Sequence, residues 1–274
     1  MANREKIVSN NIHPTAIIDS SAIIEEDVKI HPYAVIGQNV KISSGTEIFP
    51  QAYIEHSEIG KNCKIHSGAV IGTGPQDLGY KNEPTKVIIG DGCLIREHVT
   101  VNRASGEGNI TQVGNECMLM IGAHVAHNCC VGNNVIIANI ALLGGHVTIG
   151  DYAFIGGSTV FHQFTRVGEM AIVGGFTGTR QDLPPYAKID GREGRVIGIN
   201  SIGLKRRGVT LEERSAIKKA FKYLWFSDYN TKNAIEKIRE ELPSNKYIEN
   251  LIEFIITSKR GVTKRTFKQD SVDD

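Results

Sequence analysis

The stretch from Val113 to Val160, VGNECMLMIGAHVAHNCCVGNNVIIANIALLGGHVTIGDYAFIGGSTV, decides the fold. Counting in sixes from Val113 gives Leu119, Val125, Val131, Ile137, Leu143, Ile149 and Ile155. The count extends back to Ile89 and forward to Val173, and Glu107 is the one polar residue on it. Two positions earlier stands a small or β-branched residue, as at Cys117, Ala123, Cys129, Val135, Ala141, Val147 and Ala153. A glycine follows Ile89, Val113, Val131, Leu143, Ile149, Ile155, Val167 and Val173. A helix repeats its apolar face every 3.6 residues and a plain strand every 2, so a period of six fits neither alone. It fits a short strand and a tight corner, with i−2 and i pointing inward and i−1 outward. The glycine after i is expected to supply a corner conformation that other residues adopt at a cost. Three strands and three corners close one eighteen-residue coil, and coils stack at about 4.7–4.9 Å. The result is a parallel β-helix of triangular section, stabilised between neighbouring coils.

Before this stretch the repeat runs through Ile18, Ile24, Ile30, Ile36, Ile42, Ile48 and Ile54, slips by one, and resumes at Ile59, Ile65 and Ile71. The segment Gly72–Lys86 (GTGPQDLGYKNEPTK) breaks the period, and residues 102–112 hold the failed position Glu107. Both read as loops leaving a rigid solenoid, where function concentrates. After Val173 the pattern fades towards Pro185. The last third reads as helical. Thr210 and Glu213 form a capping box before Ile217, Ala220, Phe221 and Leu224; Thr231 caps a second helix that stops at Pro243; Ser244 caps a third carrying Tyr247, Ile248, Leu251, Ile252 and Ile255. Such helices would close the open end of the solenoid, an edge that otherwise recruits other chains. Residues 1–11 read as a loose polar lead-in, and the polar residues from about 262 onward as a disordered tail. The expected division is a β-helix domain over 1–190 and a linker with a helical domain over 191–274.

The formal net charge of +1 gives no signal for nucleic acid. The five cysteines form no CxxC pair; Cys63, Cys93, Cys117 and Cys129 occupy the small inward slot, and Cys130 falls outside it. Unpaired thiols suit a reducing, cytoplasmic setting. No signal peptide precedes the repeats, and no apolar run approaches the roughly 18–20 residues of a membrane span.

Four histidines fall together on this prism. His124 is an outward i−1 residue, and His127 lies in the following corner. One coil on, Gly145 stacks on His127; a further coil places Gln163 in the same column. His146 lies diagonally beside His127, and His162 lies nearby. None occupies an inward slot, which disfavours a satisfied core histidine. Two chemistries fit: general base catalysis by an imidazole that titrates near neutrality, and a three-histidine zinc site. His13 and His31 precede prolines and read as turn residues, while His56, His66 and His98 sit on other corners. The run Lys205-Arg206-Arg207 reads as a solvated loop or a recognition site for phosphate or an acidic partner. Gly72-Thr73-Gly74 lacks the ending and context of a phosphate loop.

Several motifs together resemble one family: HPTAII (His13–Ile18), GPQDLGY (Gly74–Tyr80), GAHVAHNC (Gly122–Cys129), LGGHV (Leu143–Val147), FHQF (Phe161–Phe164), QDLPPY (Gln181–Tyr186) and GLKRRG (Gly203–Gly208). The chain is similar in these to the acyl-ACP:UDP-N-acetylglucosamine O-acyltransferases, hexapeptide-repeat proteins of lipid A synthesis. The resemblance implies a left-handed parallel β-helix, against the usual right-handed crossover rule, with a C-terminal α-helical domain. It implies transfer of a (3R)-3-hydroxyacyl group from acyl carrier protein to the 3-position of the sugar in a UDP-sugar. His127 matches the general base and the Gly145 N–H the oxyanion donor. Asp77, His124, His146, His162 and Gln163 match sugar- and acyl-positioning residues, and Asn200, Arg206 and Arg207 match UDP-side contacts. The family is a homotrimer with sites between prisms, and its catalysis needs no metal or other cofactor.

The chain departs from the pattern in three places. Asn128 stands where many relatives have Asp, and Gly79 where many have Lys. Loss of that cation is expected to admit a 3-amino sugar and an amide product. Glu193 stands where relatives place a histidine near the acyl tail, so their chain-length ruler does not transfer; Gly175 is expected to leave room for a long acyl chain. Three alternatives stand beside this reading: a hexapeptide-repeat zinc carbonic anhydrase, the UDP-3-O-acylglucosamine N-acyltransferase of the same pathway, and a non-catalytic sugar-nucleotide-binding protein.

Overall fold

The computed structural model describes residues 11–264. The lead-in before residue 11 and the tail beyond residue 264 lie outside the described residues.

Most strands of the repeat are two residues long, such as His124–Val125, Cys130–Val131 and Ile136–Ile137. They belong in turn to three sheets of nine, eight and ten strands. We call these sheets one, two and three in that order. Sheets one and two are parallel throughout; sheet three is parallel up to its final hairpin. In sheet one Val125 pairs with Leu143 and Leu143 with Phe161, steps of eighteen residues. The inward residues form columns at full burial: Ile71, Val101, Val125 and Leu143 in sheet one, Ile59, Ile89, Val113 and Val131 in sheet two. The slip after Ile54 is a shortened corner: Ile42 pairs with Ile59, a step of seventeen.

The two breaks in the period leave the prism at the same edge, where sheet one passes to sheet two. Ile71 pairs with Val101 and Val101 with Val125, so these coils carry thirty and twenty-four residues instead of eighteen. Both insertions are multiples of six, which keeps the inward phase. Glu107 is exposed on the second loop.

The glycines after i act differently from the sequence expectation. None of Gly90, Gly114, Gly132 or Gly150 has a left-handed φ. The left-handed residue of each corner is i+3, as at Glu116, Asn128, Asn134, His146 and Phe164. The glycines instead allow coils to touch. A Cβ on Gly114 would sit 2.6 Å from the Gly132 carbonyl oxygen, and one on Gly150 would sit 2.5 Å from the Glu169 nitrogen. This seam follows the edge between sheets two and three. The buried cysteines seal it from within: the Cys93 and Cys117 thiols lie 3.0 Å from the Gly114 and Gly132 carbonyl oxygens, one coil on.

Past Val173 the repeat persists longer than its apolar pattern, through Gly178–Thr179 and a bridge at Leu183. An antiparallel hairpin, Ala187–Asp190 with Arg195–Ile199, ends sheet three. Four helices follow: α1 (Ser201–Arg206), α2 (Leu211–Trp225), α3 (Thr231–Glu241) and α4 (Lys246–Ile256). The capping box of Thr210 and Glu213 is present. The other two caps differ by one residue: Asn230, not Thr231, caps α3, and Asn245, not Ser244, caps α4. Each Asn holds the extended backbone of an N-cap and its side chain accepts from the first turn. The basic run, expected in a loop, lies on α1 and just past it, with Asn200 as its N-cap.

The C-terminal part closes the stack. Val262 forms a bridge to Asp182, beyond the last strand of sheet two, and the Trp225 indole N–H donates to the Thr263 carbonyl at 2.8 Å. The Arg166 guanidinium donates to Asp182 at 3.0 Å and to the Phe254 carbonyl of α4 at 2.8 Å. The first residues of the polar tail, Val262–Lys264, are therefore fixed against the prism.

Candidate active site

His127 occupies the corner between sheets one and two, one residue before left-handed Asn128. The corners stack in register: the His146 N–H donates to the His127 carbonyl and the Phe164 N–H to the Gly145 carbonyl, each at 3.0 Å. A Cβ on Gly145 would lie 2.5 Å from both Cε1 and Nε2 of His127. The Gly145 N–H enters no hydrogen bond to backbone among the described residues. The expected column of His127, Gly145 and Gln163 is thus in place.

The imidazole of His127 is held in one tautomer. Its Nδ1 lies 2.9 Å from Asn128 Oδ1. Asn128 is itself clamped by Ser105: its Oδ1 accepts from the Ser105 N–H and its Nδ2 donates to the Ser105 carbonyl, both at 3.0 Å. Those two bonds fix which end of the amide is oxygen. His127 Nδ1 must then carry the proton, which leaves Nε2 as an acceptor beside Gly145.

The other histidines crowd this ring. His146 meets it edge-on with centroids 5.4 Å apart and stacks on Phe164 at 4.5 Å. His124 points outward from sheet one, with Nδ1 2.7 Å from the Thr100 hydroxyl. Burial, and then the neighbouring His127, lowers the pKa of both His124 and His146. Both therefore favour the neutral form. Asp77 projects from the first loop, and its carboxyl is held below the usual range by the Gly79 N–H first and the Ser105 hydroxyl second. His162 and Gln163 occupy the next corner and are exposed. The Arg260 guanidinium lies 3.1 Å from His162 Nδ1 and is steadied by the Arg180 carbonyl.

The remaining expected residues lie elsewhere in the chain. Gly175 is on the edge between sheets three and one, packed against the Gly157 carbonyl. Asn200 donates to the Met170 carbonyl at 2.8 Å, and the Arg207 guanidinium stacks 4.1 Å over the Tyr152 ring. Met170 and Tyr152 are corner residues between sheets two and three, so Asn200, Arg207 and adjacent Arg206 belong to that edge. One chain thus spreads its candidate residues over all three edges of the prism. Sequence reading missed Thr100, Ser105, Thr111 and Arg260. Thr100 had a signal, since it precedes His124 in the outward column, and Thr111 stands in the small inward slot two before Val113; Ser105 had none beyond the failed repeat at Glu107, and Arg260, past α4, had none.

Among the described residues no group of three His, Cys, Asp or Glu side chains is arranged to hold a metal ion. None of their helices is long and apolar enough to cross a membrane.

The comparisons with known proteins identify relatives along nearly the whole chain. Over 257 residues the chain is 47% identical to the acyl-[acyl-carrier-protein]–UDP-N-acetylglucosamine O-acyltransferase of Thermodesulfovibrio yellowstonii, covering 93% of this chain and 100% of that protein. The chain belongs to this O-acyltransferase family. The protein of the same name from Rippkaea orientalis is 49% identical over 265 residues, 96% of each chain. The Francisella novicida UDP-N-acetylglucosamine acyltransferase superposes with a TM-score of 0.90 at 36% identity, over 96% of this chain and 97% of that one. The Bacteroides fragilis enzyme superposes at 0.89 and 39% identity, over 91% and 98%. A family description, Udp N-acetylglucosamine O-acyltransferase, domain 2, matches residues 182–263. The prism is accordingly a left-handed parallel β-helix and the chain an O-acyltransferase. The carbonic anhydrase, N-acyltransferase and non-catalytic readings are not favoured.

Proposed function

We propose that His127 and Gly145 carry out transfer of a (3R)-3-hydroxyacyl group from acyl carrier protein to the 3-position of UDP-N-acetylglucosamine or its 3-amino analogue, the first step of lipid A synthesis. The observation that carries this reading is the free Nε2 of His127 facing the column that holds the unused Gly145 N–H. His127 Nε2 takes the proton of the acceptor as its oxygen or nitrogen attacks the thioester carbonyl. The Gly145 N–H donates to the oxyanion that forms. Collapse breaks the carbon–sulfur bond, and the carrier's thiolate takes the proton back from the imidazole. Asp77, His124, His146, His162 and Gln163 position sugar and acyl chain. No step calls for a metal or cofactor.

Asn200, Arg206 and Arg207 bind the UDP side, and Gly175 gives room to the acyl chain, from neighbouring copies in a homotrimer. The spread of these residues over three edges supports that assembly, as does an apolar outer surface beside the histidines: Leu142 and Val160 of sheet one and the corner residues Ile140, Phe164 and Phe176 are exposed. Five cysteines without a disulfide support a cytoplasmic setting.

Initial rates with 3-hydroxyacyl carrier protein and each of the two UDP-sugars, measured for the native protein and for His127→Ala, test the proposal. Turnover with at least one sugar, lost in the variant, is expected. Undiminished turnover by His127→Ala would remove His127 as the base.

A further inference from the structure

Arg260 reaches the candidate site from outside the repeat. It lies past α4, and Asp182 pins the chain on both sides of it. The Ser258 hydroxyl donates to the Asp182 carboxylate at 2.8 Å, and the Asp182 N–H donates to the Gly261 carbonyl at 2.9 Å. Thr263 follows, with its N–H on the Asp182 carbonyl at 2.9 Å and its hydroxyl on the Gly194 carbonyl at 2.6 Å. Asp182 is only 1% exposed and also takes the Arg166 guanidinium, so the anchor belongs to the prism. From this anchor the Arg260 Nε donates to the Arg180 carbonyl at 3.1 Å, and its Nη2 lies 3.1 Å from His162 Nδ1.

Two neighbours compete for that nitrogen, and they require opposite protonation. The Gln163 carbonyl lies 3.1 Å from Nδ1 and accepts from no backbone N–H among the described residues. It can bond Nδ1 only when Nδ1 carries the proton. A guanidinium is always charged, has donors and has no acceptor, so it can bond Nδ1 only when Nδ1 is bare. The two bonds exclude each other. Both are exposed, and a bond from a charged donor is roughly twice as strong as a neutral one, which decides for the guanidinium. His162 then carries its proton on Nε2, the opposite tautomer to His127, whose proton is on Nδ1. The backbone beneath the ring is fixed: the His162 N–H donates to the Thr179 carbonyl at 2.9 Å, and its carbonyl accepts from the Thr165 N–H at 3.3 Å.

We propose that Arg260 is a positioning residue for acyl transfer: it holds His162 in the Nε2–H tautomer, so that this corner offers a hydrogen-bond donor where the His127 corner offers an acceptor. An imidazole N–H bonds a carbonyl or phosphoryl oxygen of a substrate, and a bare ring nitrogen repels one. The proposal rests on the reading of His162 as a substrate-positioning residue. Arg260 acts through His162 and not on the reacting groups.

The test is a nitrogen-15 NMR spectrum of the full-length protein labelled at histidine, at about pH 8.5, well above the ordinary histidine value. The His162 signals are assigned by their loss in His162→Ala. The native protein is expected to show the His162 proton on Nε2. Arg260→Met keeps the stem and removes the donors; its tautomer ratio is expected to move towards Nδ1–H by roughly fivefold, the equilibrium equivalent of one net hydrogen bond. Its kcat/KM for UDP-sugar is expected to fall by a similar factor, roughly five- to tenfold. In the His162→Ala background the same substitution is expected to cost less than about twofold, because the ring through which it acts is gone. A proton on Nδ1 in the native protein, an unchanged tautomer or a native kcat/KM in Arg260→Met, or an undiminished loss in the His162→Ala background would each overturn the proposal. Native turnover by His162→Ala is a different failure: it removes His162 from the site, and with it the reading beneath the proposal, whatever the spectra show.

Discussion

Gly145→Ala places a methyl group against the reactive side of His127. The added Cβ would stand 2.5 Å from Cε1 and Nε2 and 3.2 Å from Cδ2, where ordinary contact begins at 3.4 Å. The ring must retreat by about 1 Å. Its Nδ1 bond to Asn128 is 2.9 Å long, and Asn128 is pinned by Ser105 and Thr111, so the pair cannot move together. A retreat of that size stretches the bond past the useful range and releases the tautomer. Misplacement by about 1 Å costs on the order of a hundredfold in rate. We expect kcat for acyl transfer to fall by that factor. Gly145 has no left-handed φ, so alanine fits its backbone; the fold should lose only about 1 kcal/mol to crowding. Initial rates under saturating substrates, with urea unfolding of the same preparation, measure both. A variant whose kcat stays within about threefold of native would show that the His127 ring does not act from this position.

Other perturbations read other parts of the structure. Asn128→Asp turns an oxygen towards the Ser105 carbonyl in place of the Nδ2 donor now 3.0 Å away; it should lower stability by about 1–3 kcal/mol in urea unfolding, and an unchanged midpoint would contradict the clamp. Gly79→Lys brings an ammonium beside Asp77, whose Oδ1 would be 3.3 Å from the new Cβ; the preference for a 3-hydroxyl over a 3-amino acceptor should rise about tenfold in competing-substrate assays. His124 and His146 are held below the ordinary histidine value of 6.5 by burial, so the unfolded chain takes up their protons first as pH falls. Stability is then unaffected by them above about pH 7.5 and declines as pH falls through 6.5, and His124→Gln should flatten that decline in melting curves. A thiol reagent should modify Cys130 alone in the native protein, because Cys63, Cys93, Cys117 and Cys129 are buried; burial also pushes the Cys129 thiol up to about 12.

The period of six carried most of the fold because it is a packing rule: each inward residue from Ile30 to Val173 has the same neighbours one coil away. The same rule placed Gly145 and Gln163 over His127, since a column eighteen residues long needs no side-chain detail. It also explains why the glycines were misread. A corner glycine satisfies two demands, left-handed φ and close approach, and a sequence does not say which one acts. The helix caps shifted by one residue because Asn230 and Thr231, or Ser244 and Asn245, are both competent caps, and the backbone angle chooses. Ser105 and Arg260 were invisible for another reason. Ser105 lies where the period is broken and Arg260 beyond the repeat, past α4, and without a register a sequence position carries no spatial neighbour.

The glycine seam has a consequence for variation. Along the edge between sheets two and three the coils meet with no room for a side chain, from Gly90 to Gly150, while the edge between sheets one and two has absorbed both insertions and the histidines. A saturation mutagenesis map printed along the chain would scatter its intolerant positions every eighteen residues or so. Wrapped around the prism, the same data should gather Gly90, Gly114, Gly132 and Gly150 into one forbidden line on one edge, and place the insertable loops on another, where Gly144 and Gly145 stay intolerant. Such a chain gains its long loops on that edge, by twelve and by six residues here, without disturbing the line that keeps its coils in contact.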